Sequence, residues 1–443
     1  MDNRVAIIGA GMGGLGAAHT LKKKGVPAVA FEMGHKAGGR MTTEKIGDFH
    51  VDVGASYIFS YFERIRVLTH ELSMQDQLTV IPKNKASLYR DGKFHTLTLN
   101  NPATLLSFTG LSPRAKLAAL GILPHLFANF LKANDYLNPY KALEIDDNEP
   151  AYDFLLRTTS QEFTDCFADA IIRALCMYSI KDLSKLNLFT YFYMLVAKIM
   201  RLQTLRDGIG SVPQRLARDL DVRYQTKVLS VRQKHDRVEV AWETDGKQEA
   251  GDFCAAVVAV WGDTVPEIVK DLSPVSRSVL SDTRYSTTTP VVLTLDQPVG
   301  VPFQCTYIGP GESDILASFA IEEVKGNLGV PPGKGCLLCL TREEFAAASR
   351  GQSKEETGEI VAKEAQRFFP SIAGHITGIH AFRWDRAVEK YPPGRMPLLH
   401  GMRGQMPTDG RIFLAGSYLI APTTEAAFTT GVQAAEQVLK LLA

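Results

Sequence analysis

The sequence predicts an α/β fold, in which a Rossmann-type parallel sheet is assembled from separate parts of the chain around an inserted α+β domain. Three observations support this. A strand, a glycine-rich turn and a helix open the chain, and a strand and a helix close it, at Arg411–Ala415 and Thr424–Glu436. Between them lie long helical and strand-rich segments with no repeat. With 443 residues, 45% hydrophobic and 22% charged, the chain can bury two or three cores.

The N-terminal strand is followed at once by a glycine-rich turn. The apolar run Arg4–Ile8 leads into GAGMGG at positions 9–14, with glycines at the first, third and sixth positions of G-x-G-x-x-G. In this arrangement Gly9 permits the tight turn, Gly11 lets the backbone approach a pyrophosphate, and Gly14 allows the helix to pack closely on the strand. The N-terminus of the following helix favours a phosphate. The turn therefore predicts a dinucleotide site.

A helix and a second strand complete the first βαβ unit. The helix is predicted from Leu15 to Lys24 and the strand over Val26–Phe31, which ends at Glu32, 18 positions after Gly14. A carboxylate at the end of this strand can accept hydrogen bonds from a ribose diol and disfavours a 2′-phosphate. The expected ligand is therefore FAD or NAD and not NADP.

The next two segments favour FAD. The sequences KAGGRM at positions 36–41 and VDVGASY at positions 51–57 resemble motifs of the flavin amine oxidase superfamily, which includes monoamine oxidases, protoporphyrinogen oxidases and the phytoene desaturase group. The resemblance implies that Arg40 reaches the FAD phosphates and that the segment from Asp52 to Tyr57 runs beside the flavin. It also implies a Rossmann-type FAD-binding domain with an inserted α+β substrate domain.

The end of the chain resembles the closing motif of the same superfamily. Gly416-Ser417-Tyr418 leads into the predicted helix Thr424–Glu436, whose N-terminus would point at the pyrimidine edge of the flavin. Such a helix dipole stabilises the negative charge of reduced flavin. Many relatives carry Asp or Glu where this chain has Ser417, and the Gly-Ser-Tyr version is nearer to protoporphyrinogen oxidases.

Two further matches lie between the ends. The segment Leu205–Gly210 with Val228 resembles the part of the family that packs a valine backbone against the adenine, and Arg383–Arg395 resembles a segment that precedes the closing motif in protoporphyrinogen oxidases. Aromatic residues there either pack in the core or flank the substrate. The candidate substrate-pocket residues are Trp384, Tyr391 and Tyr418. The candidate FAD contacts are Gly9, Gly11, Met12, Gly13, Gly14, Glu32, Met33, Gly39, Arg40, Met41, Gly54, Ala55, Ser56, Tyr57, Val228, Gly416, Ser417, Glu425, Ala426 and Ala427.

The domains are predicted to be discontinuous. Residues 1–95, 205–285 and 375–443 are expected to form the FAD-binding domain. Residues 96–204, helical by their apolar spacing, and 286–374, with strands at Pro290–Leu295 and Cys336–Leu340 and a helix at Lys354–Phe369, are expected to form the substrate domain over the flavin.

The composition argues against several other classes of protein. The 49 basic and 48 acidic residues give a net charge of +1, so nothing indicates a nucleic-acid partner. None of the ten histidines belongs to a metal-type cluster. Cys336 and Cys339 have the spacing of a redox pair, but their apolar surroundings favour buried strand cysteines. The chain begins almost directly with the nucleotide-binding strand, which predicts a cytoplasmic protein.

The most apolar helical region spans Leu117–Leu131 and Leu186–Met200, and it is too short and interrupted to cross a bilayer. We expect a buried helical subdomain here. The alternative is a patch that contacts a membrane surface or admits a lipophilic substrate.

The expected function is an FAD-dependent oxidase or dehydrogenase that removes a hydride from a C–H bond of a small lipophilic or amine-containing substrate and passes electrons to O2 or another acceptor. The segment Tyr285–Leu293 lacks the lysine that several amine oxidases place near the flavin, which favours protoporphyrinogen-oxidase-like or desaturase-like chemistry. The region before the closing motif lacks the cysteine that tethers flavin in monoamine oxidases, so noncovalent FAD is expected. The sequence identifies no catalytic residue. A redox-neutral isomerase or mutase and a flavin-binding protein without turnover remain alternatives.

Overall fold

The computed structural model describes residues 4–81, 85–98, 103–194, 201–325, 329–404 and 410–443. The strands are β1 Val5–Ile8, β2 Ala28–Phe31, β3 Thr43–Ile46, β4 Phe49–Asp52, β5 Ile58–Phe59, β6 Leu78–Val80, β7 Lys85–Arg90, β8 Lys93–Thr98, β9 Leu202–Leu205, β10 Val222–Arg223, β11 Thr226–Lys234, β12 Arg237–Thr244, β13 Lys247–Phe253, β14 Ala255–Val258, β15 Val291–Leu295, β16 Cys305–Ile308, β17 Leu316–Ile321, β18 Gly335–Thr341, β19 Ile376–Ala381 and β20 Ile412–Leu414.

The helices connect these strands and fill the segment between β8 and β9. They are α1 Met12–Lys23, α2 Glu63–Glu71, α3 Thr104–Ser107, α4 Pro113–Ala119, α5 Leu123–Ala133, α6 Ala151–Thr158, α7 Gln161–Phe163, α8 Ala170–Cys176, α9 Lys185–Phe192, α10 Ser211–Ala217, α11 Val265–Ile268, α12 Pro274–Ser281, α13 Glu343–Ala348, α14 Lys354–Phe368, α15 Arg395–Gly404 and α16 Thr424–Leu442. The strands and helices predicted near both termini, and the helix predicted at positions 354–369, are confirmed to within a few residues at most ends; the C-terminal helix continues beyond its predicted end.

A five-stranded parallel sheet in the order β10-β2-β1-β14-β20 confirms the Rossmann-type fold. Successive side chains of β1 point to opposite faces, as strand geometry requires. Val5 and Ile7 pack with residues of α1 and α16 on one face. Ala6 and Ile8 pack on the other face, in the same core as the antiparallel sheet β11-β12-β13. The sheet therefore lies between two helices and a three-stranded sheet.

A seven-stranded mixed sheet, in the order β19-β15-β18-β17-β16-β7-β8, forms the other large unit. One face packs on α14, with Leu293 and Phe319 in the same core as Val361. On the opposite face Val292 shares a core with Val51 and Val53, at the start of the predicted flavin segment. The free cysteines Cys336 and Cys339 are buried in β18, which confirms that they are core residues.

The predicted domain boundaries stay predictions, but the seven-stranded sheet takes residues from both sides of two of them. The hairpin formed by β7 and β8 at positions 85–98 crosses the expected boundary at residue 95, and β19 at positions 376–381 lies just after the one at 374. Strands pair with whichever partners complete a sheet, and sequence periodicity does not show which partners those are.

The helical segment differs from its prediction. Leu117, Phe127 and Leu131 are exposed, whereas a buried subdomain was expected. Pro124 lies in the first turn of α5, where a missing N–H costs nothing, so it does not break the helix. In the second predicted stretch Leu186 and Phe189 are buried, and positions 195–200 lie outside the described residues. Within the described residues no helix is both long and apolar enough to span a membrane.

Candidate functional site

The glycine-rich turn adopts the geometry that its spacing predicts. Gly9 has φ +99°, and a Cβ on Gly14 would lie 1.9 Å from the carbonyl oxygen of Gly9. Both positions therefore require glycine for the fold itself. Gly11 is different, because a Cβ there would have no atom within 4 Å. The side of the turn at Gly11 is open, and α1 begins there with no side-chain cap and no acidic residue in its first turn. An anionic group fits this position.

Glu32 lies beside this turn at the end of β2. Its carboxylate accepts hydrogen bonds from the backbone N–H groups of Ala10 and Gly34, each at 2.7 Å. These two bonds fix the carboxylate and leave lone pairs for a further donor such as a ribose hydroxyl. The Thr226 N–H donates to the backbone oxygen of Glu32, which places the start of β11, and the buried Val228 two residues on, at the same edge.

Arg40 makes a network that the sequence does not predict. Its guanidinium binds Glu389 in a bidentate pair, with Nη2 to Oε1 at 2.6 Å and Nη1 to Oε2 at 2.9 Å. Nη2 also donates to Ser417 Oγ at 2.7 Å, and the guanidinium lies 4.7 Å from the ring centroid of Trp261. Burial opposes the charge, but Glu389 outweighs it and raises the pKa of Arg40 above its usual value.

Glu389 reaches Arg40 because its segment runs antiparallel to positions 284–288. The N–H of Ser286 donates to the oxygen of Val388 at 2.8 Å, and the N–H of Lys390 donates to the oxygen of Arg284 at 2.8 Å. The Glu389 side chain is 1% exposed and that of Arg40 is 28% exposed. The only signal of this contact in the sequence is that Glu389 falls within the Arg383–Arg395 segment, which resembles part of the family.

The closing motif lies beside the Arg40–Glu389 pair. Ser417 donates to Glu389, and Tyr391, which is buried, donates its hydroxyl to the backbone oxygen of Ser417 at 2.9 Å. Tyr418 is also buried, and its hydroxyl has no hydrogen-bond partner in the part of the chain that the structure describes. Burial raises the pKa of Tyr418, so it is a neutral donor at ordinary pH. A buried donor without a partner suits a polar atom of a ligand.

The closing helix α16 crosses α1 at small residues. A Cβ on Gly431 would lie 2.0 Å from the oxygen of Gly13, and one on Gly13 would lie 3.4 Å from the oxygen of Ala427. The contact brings the first turn of α16, with Ala426 and Ala427, beside the glycine-rich turn. Glu425 in that turn accepts hydrogen bonds from the N–H groups of Arg64 and Ile65 at 2.7 and 2.9 Å. Its carboxylate therefore caps α2.

The predicted flavin segment is attached to the Arg40 loop. The N–H of Ala55 donates to the oxygen of Arg40 at 2.9 Å, and a Cβ on Gly54 would lie 2.1 Å from that oxygen. Trp384 Nε1 donates to the oxygen of Val53 at 2.8 Å, which ties the candidate substrate-pocket residue to this segment. Three other predicted FAD contacts differ from one another in solvent exposure: Met41 is buried, Gly39 is exposed, and Met33 is 67% exposed.

Asp52 lies in the same segment and links it by hydrogen bonds to two other parts of the chain. It accepts hydrogen bonds from Thr43 Oγ1 at 2.6 Å and from the N–H of Ile209 at 3.0 Å. Burial raises the pKa of Asp52 to about 7, although Lys325 nearby acts in the opposite direction. Ser56 lies one residue before Tyr57 and donates weakly to backbone oxygens of this loop at 3.4 Å.

A buried lysine lies near the predicted flavin segment, although the segment at positions 285–293 has none. Lys325 Nζ is 4.6 Å from the ring centroid of Tyr57 and 2.8 Å from Glu322 Oε1, and both charged side chains are about 95% buried, with exposed fractions of 5% and 6%. Nothing in the sequence indicates this contact, because Lys325 is 268 positions after Tyr57. In the described residues no group of His, Cys, Asp and Glu side chains could hold a metal ion.

Together these residues fit a dinucleotide with an extended, negatively charged middle. The glycine turn binds the Glu32 carboxylate through the Ala10 N–H, and its Ala10 oxygen accepts a hydrogen bond from the N–H of Gly38 in the loop that carries Arg40. The two ends of the chain, more than 370 positions apart, meet at Arg40 and Ser417.

Comparison with known proteins points in one direction. The profile of the family described as flavin containing amine oxidoreductase matches residues 12–439. A mitochondrial protoporphyrinogen oxidase of Nicotiana tabacum is 29% identical over 175 residues, which are 39% of this chain and 32% of the tobacco protein. The match thus spans about a third of that relative's length.

Two solved structures share the fold over their full lengths. A proposed protoporphyrinogen oxidase from Exiguobacterium sp. 255-15 has a TM-score of 0.77 at 16% identity, covering 99% of each chain. Cyclohexylamine oxidase from Brevibacterium oxydans IH-35A has a TM-score of 0.76 at 16% identity, covering 100% of each chain. At this identity the likeness shows the fold alone.

Proposed function

Because the chain belongs to the flavin containing amine oxidoreductase family, and is therefore a flavin-dependent oxidoreductase, we propose that it holds FAD noncovalently and removes a hydride from a C–H bond of a small substrate. One observation supports this most strongly. The Glu32 carboxylate and the loop that carries Arg40 are both hydrogen-bonded to the glycine turn at Ala10, and the charges of the two side chains suit the ribose and the phosphates of FAD.

Each part of the cofactor has a partner in this proposal. The N-terminus of α1 at Gly11 holds the pyrophosphate, and Glu32 accepts hydrogen bonds from the ribose of the adenosine half. Val228 lies at the adenine side. Arg40, kept in place by Glu389, gives a positive charge to the phosphates.

The substrate lies between the flavin segment and the seven-stranded sheet. When bound, flavin supplies a hydride acceptor at N5, and the protein supplies orientation and a dry pocket. Tyr391, Tyr418 and Trp384 are the proposed aromatic walls: the first two are buried, and Trp384 is fixed by its hydrogen bond to Val53. The first turn of α16 stabilises negative charge that develops on the ring system.

The substrate is proposed to be lipophilic, with protoporphyrinogen-oxidase-like or desaturase-like oxidation ahead of amine oxidation. Two features support this order. Thr287, Thr288 and Thr289 occupy the segment where several amine oxidases have a lysine, and all three are buried, with Thr288 Oγ1 donating to the oxygen of Thr341 at 3.0 Å. The named relative with sequence similarity is a protoporphyrinogen oxidase. The relatives are oxidases, so the comparisons do not favour a redox-neutral isomerase.

The test is the visible spectrum of the purified protein, recorded before and after anaerobic addition of porphyrinogen, polyenes and amines in turn. We expect an oxidised-flavin spectrum that one substrate class bleaches and that O2 or another acceptor restores. Flavin released by denaturation and filtration should be FAD, because the binding is noncovalent. A protein that takes up no FAD would refute the cofactor assignment, and product formation without bleaching or net electron transfer would favour the redox-neutral alternative.

A further inference from the structure

A small cavity lies beside the predicted flavin segment, between the end of β4 and the turn that follows β17. It has a volume of about 20 Å³, and its lining includes the charged residues Asp52, Glu322 and Lys325. A cavity of more than about 10–15 Å³ holds a water molecule when two or more polar groups face it. This space, called the inner cavity below, therefore fits one water molecule.

A larger, open cleft adjoins the inner cavity. The cleft has a volume of about 500 Å³ and is lined by Lys45, Asp207 and other polar residues. His50, which is half-buried, lines both spaces. A histidine in this position can pass protons, because each of its two ring nitrogens can bind or release one. The inner cavity can therefore exchange protons with solvent at His50.

The polar groups around the inner cavity have bonding capacity left for a water molecule. Lys325 Nζ is 2.8 Å from Glu322 Oε1, but neither atom makes a well-aligned hydrogen bond within the part of the chain that the structure describes. Asp52 accepts hydrogen bonds from Thr43 Oγ1 and from the N–H of Ile209, and both end on Oδ1. The other oxygen of the Asp52 carboxylate, Oδ2, is therefore left for a further donor.

Asp52 can change its protonation state near neutral pH. Burial raises the pKa of Asp52 to about 7, while the charge of Lys325 and the hydrogen bond from Thr43 act in the opposite direction. Burial also raises the pKa of the nearby Tyr57 phenol, and that of the Cys305 thiol to about 11, so both stay neutral. The other titratable groups packed around the site are His50, Glu322, Glu323 and Cys336.

We propose that Asp52 takes up a proton when the bound flavin gains an electron pair, and that this proton is exchanged with solvent through the inner cavity. The ring of Tyr57, 4.6 Å from Lys325 Nζ, connects the site to the predicted flavin segment. Negative charge on reduced flavin disfavours a second negative charge at Asp52 and therefore favours its protonated form.

The inference rests on the proposed function, in which two hydrogens leave the substrate. One hydrogen leaves with its electron pair as a hydride, which is transferred to the flavin. The other leaves as a proton, and the Asp52 carboxylate becomes a carboxylic acid, so that protons and charges balance. When an acceptor takes the electron pair, Asp52 gives up its proton again.

The test is a spectroelectrochemical titration of the FAD-loaded protein, in which an electrode supplies the electrons and no substrate is needed. The change of the midpoint potential with pH counts the protons taken up with each electron pair. At about pH 7.5 the parent should take up more protons than Asp52→Asn, by roughly half a proton or more, and at about pH 5.5 the two should agree. Thr43→Val removes a hydrogen bond that lowers the pKa of Asp52, so it should move the extra uptake to higher pH.

The matched control is Asp48→Asn, which makes the same chemical change at an exposed position between β3 and β4 and should behave like the parent. His50→Gln should also keep the extra proton, because His50 borders the inner cavity without storing the proton. Loss of the extra proton in His50→Gln but not in Asp52→Asn would overturn the inference and place the proton on the histidine. Equal proton numbers for the parent and Asp52→Asn at both pH values would overturn it and leave the proposed function standing, whereas a protein that binds no flavin would overturn both.

Discussion

Removing Glu389 tests whether this carboxylate holds Arg40 in place. The pair is bidentate, and Glu389 is 1% exposed. Removing one partner of a buried ion pair costs roughly 3–5 kcal/mol, since it leaves the other charge without compensation. Arg40 is 28% exposed, so water can partly replace Glu389, and we expect Glu389→Leu to lower the free energy of unfolding by about 3 kcal/mol.

The double-mutant cycle separates the pair from its surroundings. Arg40→Leu should cost about 4 kcal/mol, because it leaves the more deeply buried Glu389 charge unpaired. Arg40→Leu/Glu389→Leu should cost much less than the sum, since replacing both partners by apolar groups is often nearly neutral. The single changes sum to about 7 kcal/mol, so a double variant that costs about 2 kcal/mol gives a coupling of about 5 kcal/mol, measured by urea unfolding of FAD-free protein.

A second measurement connects the pair to the cofactor. At one concentration FAD should stabilise Glu389→Leu more than it stabilises Arg40→Leu, because the phosphates replace the lost carboxylate only where the guanidinium is present. Two results would refute the reasoning: single changes that add to within about 0.5 kcal/mol, or equal stabilisation of both variants by FAD.

Substitutions at four further positions give three more predictions. Gly14→Ala should prevent stable folding, because its Cβ would lie 1.9 Å from the oxygen of Gly9, whereas Gly11→Ala should leave the unfolding midpoint unchanged and weaken FAD binding in a fluorescence titration. Glu32→Ala should weaken FAD affinity by about 1.5–3 kcal/mol for each ribose hydrogen bond lost, and unchanged affinity would contradict the assignment. Burial raises the pKa of Asp52 to about 7, so the folded state binds its proton more tightly than the unfolded state, and stability should fall as pH rises from about 4 to 7. The variant Asp52→Asn should lack this fall in urea midpoints measured across that range.

The parts of the site that the sequence predicts are those that the local chain determines. The turn at Gly9–Gly14 follows its strand directly, and Glu32 ends the next strand, so the positions of both follow from a single βαβ unit. Here local spacing and backbone geometry are enough. The closing helix is also recognisable, because the segment from Gly416 onward resembles the closing motif of the superfamily.

Other features depend on contacts that spacing cannot show. Glu389 and Arg40 are 349 positions apart, and Lys325 reaches Tyr57 from the turn that follows β17. The apolar periodicity of α5 correctly predicts a helix. It does not show whether the stripe with Phe127 faces the core or the solvent. Only the packing of the inner side, with Leu126 buried, decides that question.

Ser417 shows how a change in sequence motif can leave the electrostatics in place. In the family that the closing motif resembles, many members carry an acidic residue at this position, and its loss would suggest a weakened site. In this chain Ser417 donates to the Glu389 carboxylate, and both are bound to the Arg40 guanidinium. A negative charge is therefore present where the motif would place one, but it comes from a segment 28 positions earlier. Because Glu389 is paired with Arg40 in the FAD-free protein, the arginine can remain partly buried there, and Ser417 alone is no reason to infer a site that cannot bind flavin.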